Sequence, residues 1–145
     1  MRTVAFFGHR VVSDPEQAAA WLERVVAALY GRGARQFYLG GYGAFDALAA
    51  RAVLAERGRH PDVSAVLVKP YLLGGPAPFP GMETLYPPLE GVPPRYAIAR
   101  RNQWMVENAD VVVVYVQRGF GGAAAALRFA RQRRKEILSF FPKND

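Results

Sequence analysis

The stretch Leu39-Gly40-Gly41-Tyr42-Gly43-Ala44-Phe45-Asp46 joins a short apolar run to a helix-forming run. Residues 36–39 before the glycines predict a strand, and residues from about 45 to 57 predict a helix. Glycines at a strand-to-helix turn let the backbone come close to a bound group. They also expose the first amides of the helix, whose positive end attracts anions. The turn therefore predicts a phosphate-bearing ligand, although a tight turn that needs glycine only for its dihedral angles explains it equally well.

Strand and helix patterns alternate along the rest of the chain. Short apolar runs predict five strands, at residues 4–7, 36–39, 63–68, 111–116 and 137–141. A capping box from Ser13 to Glu16 predicts the start of the first helix, and further helices are expected at about 45–57, 95–108 and 123–134. The alternation predicts a Rossmann-like, three-layer α/β/α sandwich with a mainly parallel sheet of about five strands.

A polar or glycine-rich turn follows four of the predicted strands. The four turns are Gly8-His9-Arg10, Gly40-Gly41-Tyr42-Gly43, Lys69-Pro70-Tyr71 and Gly119-Phe120-Gly121-Gly122-Ala123. Ligands of parallel sheets bind outside the carboxyl ends of the strands, where the winding of the chain reverses. We therefore expect the turns to meet at one crevice. Neither a GxGxxG fingerprint after the first strand nor a GxxxxGK[ST] phosphate loop is present.

The charged side chains near these turns each have two interpretations. Asp46 complements the dipole at the start of its helix, or it accepts a hydrogen bond from a ribose hydroxyl or a base. His9 bonds to backbone carbonyls, or it donates a proton. Arg10 pairs with a phosphate, or with a carboxylate such as that of Asp14.

Two neighbouring residues of the third predicted helix, Arg101 and Asn102, point about 100° apart, so that one can face the site while the other does not. Together with the turns they complete the set of residues predicted to bind the ligand. The set is Gly8, His9, Arg10, Gly40, Gly41, Gly43, Asp46, Arg101, Asn102, Gly121, Gly122 and Ala123.

Residues 69–94 differ from the rest of the chain, because eight prolines and four glycines fall among them. Proline at this density excludes a regular helix. Apolar residues such as Leu72, Leu73, Phe79 and Met82 predict that the segment packs as a flap, with a short extended piece near residues 83–86.

Composition limits the function classes. The chain has 145 residues, 51% of them hydrophobic, and we expect one domain over residues 1–145. It has no cysteine and two histidines, so we expect neither disulfides nor a metal site. No run of roughly 18 apolar residues and no secretory signal is present, which predicts a cytoplasmic protein that makes no contact with a membrane.

The formal net charge of +7 favours anionic partners. Much of the excess lies near the end of the last predicted helix, at Arg128, Arg131, Arg133, Arg134 and Lys135. Cations at that end complement the helix dipole, and a nucleic-acid patch is the alternative. No aromatic residue follows Phe129 among these cations, which makes the patch the weaker interpretation.

Several segments in this order resemble the SLOG family, and specifically its small single-domain bacterial branch. The segments are Phe6-Phe7-Gly8-His9-Arg10, Gly40-Gly41-Tyr42-Gly43-Ala44-Phe45-Asp46, Tyr86-Pro87-Pro88-Leu89-Glu90, Arg101-Asn102-Gln103-Trp104-Met105-Val106 and Gly121-Gly122-Ala123. The resemblance covers residues 4–141. It implies a Rossmann-like fold and a nucleotide or a nucleotide-derived ligand.

The same resemblance implies phosphate binding by this chain but not the catalytic activity of the family's enzymes. The family includes the Lonely Guy phosphoribohydrolases, which carry a PGGxGTxxE signature with a catalytic glutamate, and a DNA-processing protein that binds single strands. Here the corresponding turn reads Gly119-Phe120-Gly121-Gly122-Ala123-Ala124-Ala125-Ala126, without the Thr and the Glu. The resemblance therefore implies that this glycine turn binds a phosphate, and it does not imply a catalytic acid.

Three functions remain as hypotheses from the sequence. The first is a sensor-like module that binds a nucleotide-like ligand over the two glycine turns. The second is a hydrolase that cleaves an N-glycosidic or phosphate bond of a nucleotide, with Asp46, His9 and Glu90 as the acid–base candidates. The third is a single-stranded nucleic-acid binder that uses the basic helix end. Apolar helix faces also allow a homodimer.

Overall fold

Six parallel strands form one sheet in the computed structural model, which describes residues 2–142. In chain order the strands are β1 (Arg2–Gly8), β2 (Ala34–Leu39), β3 (Ser64–Val68), β4 (Glu83–Leu85), β5 (Val111–Tyr115) and β6 (Glu136–Ser139). The helices are α1 (Pro15–Gly31), α2 (Gly43–Arg59), α3 (Ala97–Glu107) and α4 (Gly122–Gln132), with a short 3₁₀ helix at Pro94–Tyr96. The strands lie side by side in the order β4-β3-β2-β1-β5-β6.

The sheet is sandwiched between two helical layers because successive residues of a strand face opposite sides. In β1, Val4 and Phe6 belong to the core under α1 and α2. Ala5 and Phe7 belong to the core under α3 and α4. β5 is buried along its whole length, as a central strand covered on both faces requires. The predicted three-layer, Rossmann-like sandwich is confirmed.

The expected strand count is one too low, because three residues of the proline-rich segment form β4. This strand pairs in parallel with β3, where Val66 lies opposite Glu83 and Val68 opposite Leu85. β4 lies at the edge of the sheet, and its residues are exposed or half-buried. An edge strand this short needs no apolar run, so the pattern that marks the other strands is missing from it.

The flap at residues 69–94 packs only in part. Phe79 and Met82 pack against the core under α1 and α2, and Arg57 donates a hydrogen bond to the Gly81 carbonyl oxygen at 2.9 Å. The expectation that Leu72 and Leu73 are also packed is wrong, since 67% and 89% of their surfaces are exposed. The two leucines are therefore exposed apolar side chains of the flap.

The ends of the first two helices differ from the sequence-based expectation. Asp14 caps α1, because its Oδ1 accepts the Gln17 amide at 3.0 Å, and the predicted capping box from Ser13 to Glu16 is wrong. Helix α2 continues through Gly58, which was expected to end it. None of the helices within residues 2–142 combines the length and the apolar character that a membrane span needs.

The winding of the chain reverses between β1 and β5. From β1 the chain builds β2, β3 and β4 in one direction, and it then crosses back to add β5 and β6 on the other side of β1. The loops that leave β1 and β5 therefore diverge and open a crevice at the carboxyl edge of the sheet.

Gly8, the last residue of β1, allows α2 to approach the sheet. A Cβ atom at this position would lie 2.3 Å from the ring of Phe45, which is fully buried. We expect Gly8→Ala to lower the free energy of unfolding by about 2 kcal/mol or more, because the packed ring must move. The measurement is chemical denaturation followed by circular dichroism.

The matched control is Gly58→Ala inside α2, where a Cβ atom would meet nothing within 4 Å. It should raise the free energy of unfolding by roughly 0.5–1 kcal/mol, as alanine does in an unobstructed helix. Equal effects of the two substitutions would contradict this packing.

Candidate functional site

A cavity of about 360 Å³ lies at the carboxyl edge of the sheet, between the loops that follow β1, β2 and β5. Ten of the twelve residues in the predicted ligand-binding set line it. The two exceptions are Gly41 and Gly43. Three of the four predicted strand-end turns therefore meet at this cavity, whereas the fourth, Lys69-Pro70-Tyr71, does not line it.

Gly41 and Gly43 serve packing within the chain. A Cβ atom at Gly41, where φ is 83°, would lie 2.6 Å from Leu67 Cδ1 and 2.9 Å from Pro76 Cγ, on the side of the flap. A Cβ atom at Gly43 would lie 2.6 Å from the Cα of Arg10. These glycines let the first turn of α2 approach the flap and the loop after β1.

Two amides at the start of α2, where the sequence predicted free donors, are bonded within the chain. The Tyr42 amide donates to Asp46 Oδ2 at 3.1 Å, and the Ala44 amide donates to the Arg10 carbonyl oxygen at 2.8 Å. A carboxylate of the chain itself thus occupies the position that was expected for an external anion.

The first turn of α4 differs, because its N-cap is Gly121 and no described side chain caps it. Gly121 has a φ of 95°, a conformation that glycine adopts without strain. Gly122 and Ala123 follow it and line the cavity. Since the first amides of a helix have no partner within the helix, this turn presents hydrogen-bond donors and the positive end of a dipole to the cavity.

Asp46 is a buried carboxyl group in the wall of the cavity, with 8% of its surface exposed. Its Oδ2 accepts the Tyr42 amide, whereas its Oδ1 is buried without a hydrogen-bond partner in the described residues. Burial raises the pKa of Asp46 to about 7, and this outweighs the opposite effects of the Tyr42 amide and of the Arg101 charge. Asp46 therefore changes its charge near neutral pH.

Arg101 lies under the cavity with 2% of its surface exposed. Its Nη1 donates to the carbonyl oxygens of Gly40, at 3.1 Å, and Val68, at 2.6 Å, which follow or end β2 and β3. Its Nε donates to Asn102 Oδ1 at 2.8 Å. Arg101 thus joins two strand ends to α3, and it also fixes the orientation of the Asn102 amide.

His9 is held neutral by its surroundings. Burial, and next the positive charge of Arg118, lower the pKa of His9. Its Nε2 accepts the Gln117 amide at 2.8 Å. We assign the ring proton to Nδ1, because a neutral imidazole whose Nε2 accepts must carry its proton there.

Several residues of the cavity wall were missed from the sequence. Arg118 lies between β5 and the turn at Gly121, and its guanidinium stacks 4.8 Å from the ring of Phe120. Arg118 could have been predicted, because ligands of parallel sheets bind at the carboxyl ends of strands and Arg118 lies in the same loop as the predicted glycines. Tyr42 and Ile98 also line the cavity. Tyr42 belongs to the glycine turn after β2 but was not among the residues predicted to bind the ligand.

The other acid–base candidate, Glu90, is exposed in the flap and is not part of the cavity wall. The cations near the end of α4 mostly have partners within the chain. Arg128 donates to the Gly119 carbonyl oxygen, Arg133 pairs with Glu107 at 3.3 Å, and Lys135 donates to the carbonyl oxygen of the same glutamate. These contacts favour a structural role for the basic residues near the end of α4 over a nucleic-acid patch.

Comparison with known proteins shows the fold through structure alone, since no family model and no curated relative matches the sequence. DNA processing protein A from Streptococcus pneumoniae has a TM-score of 0.70 at 19% identity, over 99% of this chain and 51% of that one. Its counterpart from Helicobacter pylori, described for its single-stranded DNA binding mode, has 0.65 at 17%, over 98% and 66%. The molybdenum cofactor carrier protein from Chlamydomonas reinhardtii has 0.64 at 13%, over 96% and 76%.

At these identities the likeness shows a common Rossmann-like fold. The chain spans about half the length of the S. pneumoniae protein and 66% of the H. pylori protein. Single-stranded DNA binding and cofactor carriage are functions of those proteins. Both are binding functions on the same architecture.

The contacts of Arg101 predict a large effect on stability. Arg101→Met removes the donor to two strand-end carbonyl groups, and we expect a loss of about 3 kcal/mol or more in the free energy of unfolding. Arg100→Met is the matched control on the same helix, at an exposed residue, and should change stability by at most about 0.5 kcal/mol. Urea denaturation measures both, and equal effects would contradict the assigned contacts.

The raised pKa of Asp46 predicts how stability depends on pH. Between the ordinary pKa of 3.8 and the folded-state value of about 7, the folded chain retains a proton that the unfolded chain releases. Stability from this group is therefore lost as the pH rises through that window. Relative to the wild type, Asp46→Asn should gain roughly 2 kcal/mol or more between about pH 5 and about pH 8.

Thermal and urea unfolding at a series of pH values measures this difference. Glu23→Gln removes one carboxylate from the exposed face of α1 and is the control, with no comparable change over the same range. A constant stability difference between Asp46→Asn and the wild type from about pH 5 to about pH 8 would show that folding does not raise the pKa of Asp46.

Proposed function

We propose that the cavity binds an anionic, nucleotide-like small molecule. The uncapped first turn of α4 is the observation that carries this proposal, because its amides and its dipole face the cavity. Exposed Arg10 and Arg118 add positive charge at the same edge. We therefore propose that the phosphate of the ligand lies at Gly122 and Ala123. The sequence-based hypothesis had the ligand over both glycine turns.

Asp46 and His9 supply polar contacts for the rest of the ligand. The free Oδ1 of Asp46 requires a hydrogen-bond donor, which a sugar hydroxyl or a ring N–H provides. The Nδ1–H of His9 requires an acceptor. A phosphorylated sugar has both kinds of group, and a nucleotide has them together with a base.

We further propose that the chain is a member of the SLOG family and acts as a cytoplasmic, sensor-like domain. The support is the joint order of the glycine turns and the segment at residues 101–106, together with the fold shared with structures of known proteins. The absence of the Thr and Glu of the phosphoribohydrolase signature supports binding over that reaction.

One observation favours a hydrolase as the second candidate. A carboxyl group with a pKa of about 7 is partly protonated at neutral pH, and it can therefore donate a proton to a leaving group. Asp46 is the only acidic residue of the described cavity wall. Incubation with a panel of nucleotides, followed by mass spectrometry, detects products. Turnover by the wild type and none by Asp46→Asn would favour this candidate over binding alone.

The binding proposal is tested at Gly122. A side chain at this position has room, since the nearest atom to an added Cβ is Asn102 Nδ2 at 4.0 Å. Gly122→Val should therefore fold, and it should lower the affinity for AMP at least about tenfold by covering the first amides of α4. Isothermal titration calorimetry measures the affinity.

Gly119→Val is the matched control in the same loop, because a Cβ there would meet nothing within 4 Å and the residue does not line the cavity. Its affinity for AMP should stay within about twofold of the wild type. Gly41→Val is unsuitable, since the added side chain would collide with Leu67. Unchanged affinity in Gly122→Val would rule out the placement of the phosphate, and a native mass spectrum that shows a co-purified compound without phosphate would rule out its class.

A further inference from the structure

Helix α2 carries a second cluster of ionisable groups at the end that lies away from the cavity. Its last residue, Arg59, is about 24 Å along the helix axis from its first residue, Gly43. Glu56, in the last turn, is buried with 2% of its surface exposed. Neither Glu56 nor His60, one turn further on, lines the cavity. The cluster is therefore separate from the proposed ligand site.

The carboxylate of Glu56 holds two partners. Its Oε2 is bonded to Nδ1 of His60 at 2.5 Å, and its Oε1 accepts a hydrogen bond from Nη2 of Arg59 at 3.0 Å. Burial alone would raise the pKa of Glu56, but the hydrogen bonds from Arg59 and His60 outweigh burial and lower it. Glu56 is thus a buried carboxylate that is ionised at neutral pH, and both of its partners reach the surface.

The charge on Glu56 fixes the position of the proton on the neutral His60 ring. An ionised carboxylate only accepts hydrogen bonds, so we assign the ring proton to Nδ1. The lone pair of the ring then lies on Nε2, for which residues 2–142 provide no hydrogen-bond partner. The side chain of His60 is 43% exposed. An unprotonated imidazole nitrogen that reaches solvent is a nucleophile.

The plane of the His60 ring is also fixed. Tyr30 stacks on it, with the ring centroids 4.0 Å apart and the ring planes 15° apart. The Tyr30 hydroxyl donates to Asp62 Oδ1 at 2.8 Å, and the guanidinium of Arg35 lies 3.9 Å from the centre of the Tyr30 ring. Because His60 is held both at Nδ1 and on one face, its Nε2 is presented in a defined direction.

Arg59 provides a contact for an anionic reagent at the same place. Glu56 holds its guanidinium on the carboxylate that also holds His60, and the Arg59 side chain is largely exposed. A guanidinium group has five N–H donors and pairs well with phosphate oxygens. The positive charge of Arg59 also offsets the negative end of the α2 dipole, which would otherwise disfavour an anion here.

We propose that His60 is a phosphoryl acceptor, modified at Nε2 by a phosphoryl donor that comes from another molecule. The Nε2 lone pair attacks the phosphorus atom, and an N–P bond forms as the bond from phosphorus to the leaving group breaks. The leaving group departs with the electron pair of that bond. Nδ1 keeps its proton, Glu56 balances the positive charge that the ring gains, and Arg59 contacts the phosphoryl oxygens.

The test uses phosphoramidate, a small phosphoryl donor from which ammonia departs. At about pH 8, where free imidazole is mostly neutral, the wild-type chain should gain one phosphoryl group. We expect it at His60 and not at His9, whose Nε2 already accepts the Gln117 amide. The reaction should be at least about tenfold faster than that of N-acetylhistidine, because Glu56 orients the ring and balances its charge. Intact mass spectrometry measures the rate, and peptide mapping locates the group.

Three variants separate a positioned nucleophile from an ordinary surface histidine. Glu56→Gln keeps the size of the side chain but removes its charge, and it should lower the rate at least about tenfold. Arg59→Gln, at an exposed position, should lower the rate at least about threefold, because the anionic donor loses a contact. Arg51→Gln is the matched control, since it removes the same charge from an exposed position of α2, and its rate should stay within about twofold of the wild type. Circular dichroism shows whether each variant is folded.

A wild-type rate equal to that of N-acetylhistidine would refute the proposal, as would modification at His9 in place of His60. Equal rates in the wild type and in folded Glu56→Gln would also refute it. The ring tautomer gives a second readout that needs no change at the buried carboxylate. Long-range ¹H–¹⁵N spectra of the wild type at the same pH should show the proton on Nδ1 of His60, and a proton on Nε2 would overturn the assignment of the nucleophile.

Discussion

The structure depends on how the positive ends of two helices are satisfied at one edge of a parallel sheet. At the start of α2, the Tyr42 amide donates to Asp46 and the Ala44 amide donates to the Arg10 carbonyl oxygen. The start of α4 has no described side chain as a cap and opens into the cavity. Because an unpaired helix start favours an anion, the two helices have different roles although their turns look alike in sequence. The α2 turn forms bonds within the chain, and the α4 turn is the one at which we propose that a ligand binds.

Asp46 and Arg101 connect these two roles. Arg101 holds the carbonyl groups of Gly40 and Val68 and orients Asn102, so the floor of the cavity is set by bonds within the chain. Asp46 is buried beside it with a free oxygen, and burial brings its pKa to about 7. An unpaired buried carboxyl group lowers stability, which is common where a group is kept for binding or chemistry. Under the two proposed functions, this group accepts a hydrogen bond from a ligand or donates a proton to a leaving group.

The fold and most of the cavity wall could be predicted from the sequence, because in a parallel sheet the strand ends must share one edge. The roles of single residues could not. Gly41 and Gly43 belong to a glycine turn, yet the sequence does not say that their free faces lie against Leu67 and Arg10. The partners of Arg101 lie 61 and 33 residues away, and no local pattern reports such contacts. β4 was predicted only as a short extended piece near residues 83–86 and was not counted as a strand of the sheet, because Glu83–Leu85, at the edge, has no buried pattern.

We propose that the open start of α4 receives the negative charge of the ligand. Titration of ¹⁵N-labelled protein with AMP, followed by amide chemical shifts, tests it most directly. We expect the largest shifts at Gly121, Gly122 and Ala123, with little change at Ala44, whose amide is already bonded. Shifts centred on the basic residues 131–135, or equal shifts at the starts of α2 and α4, would contradict it.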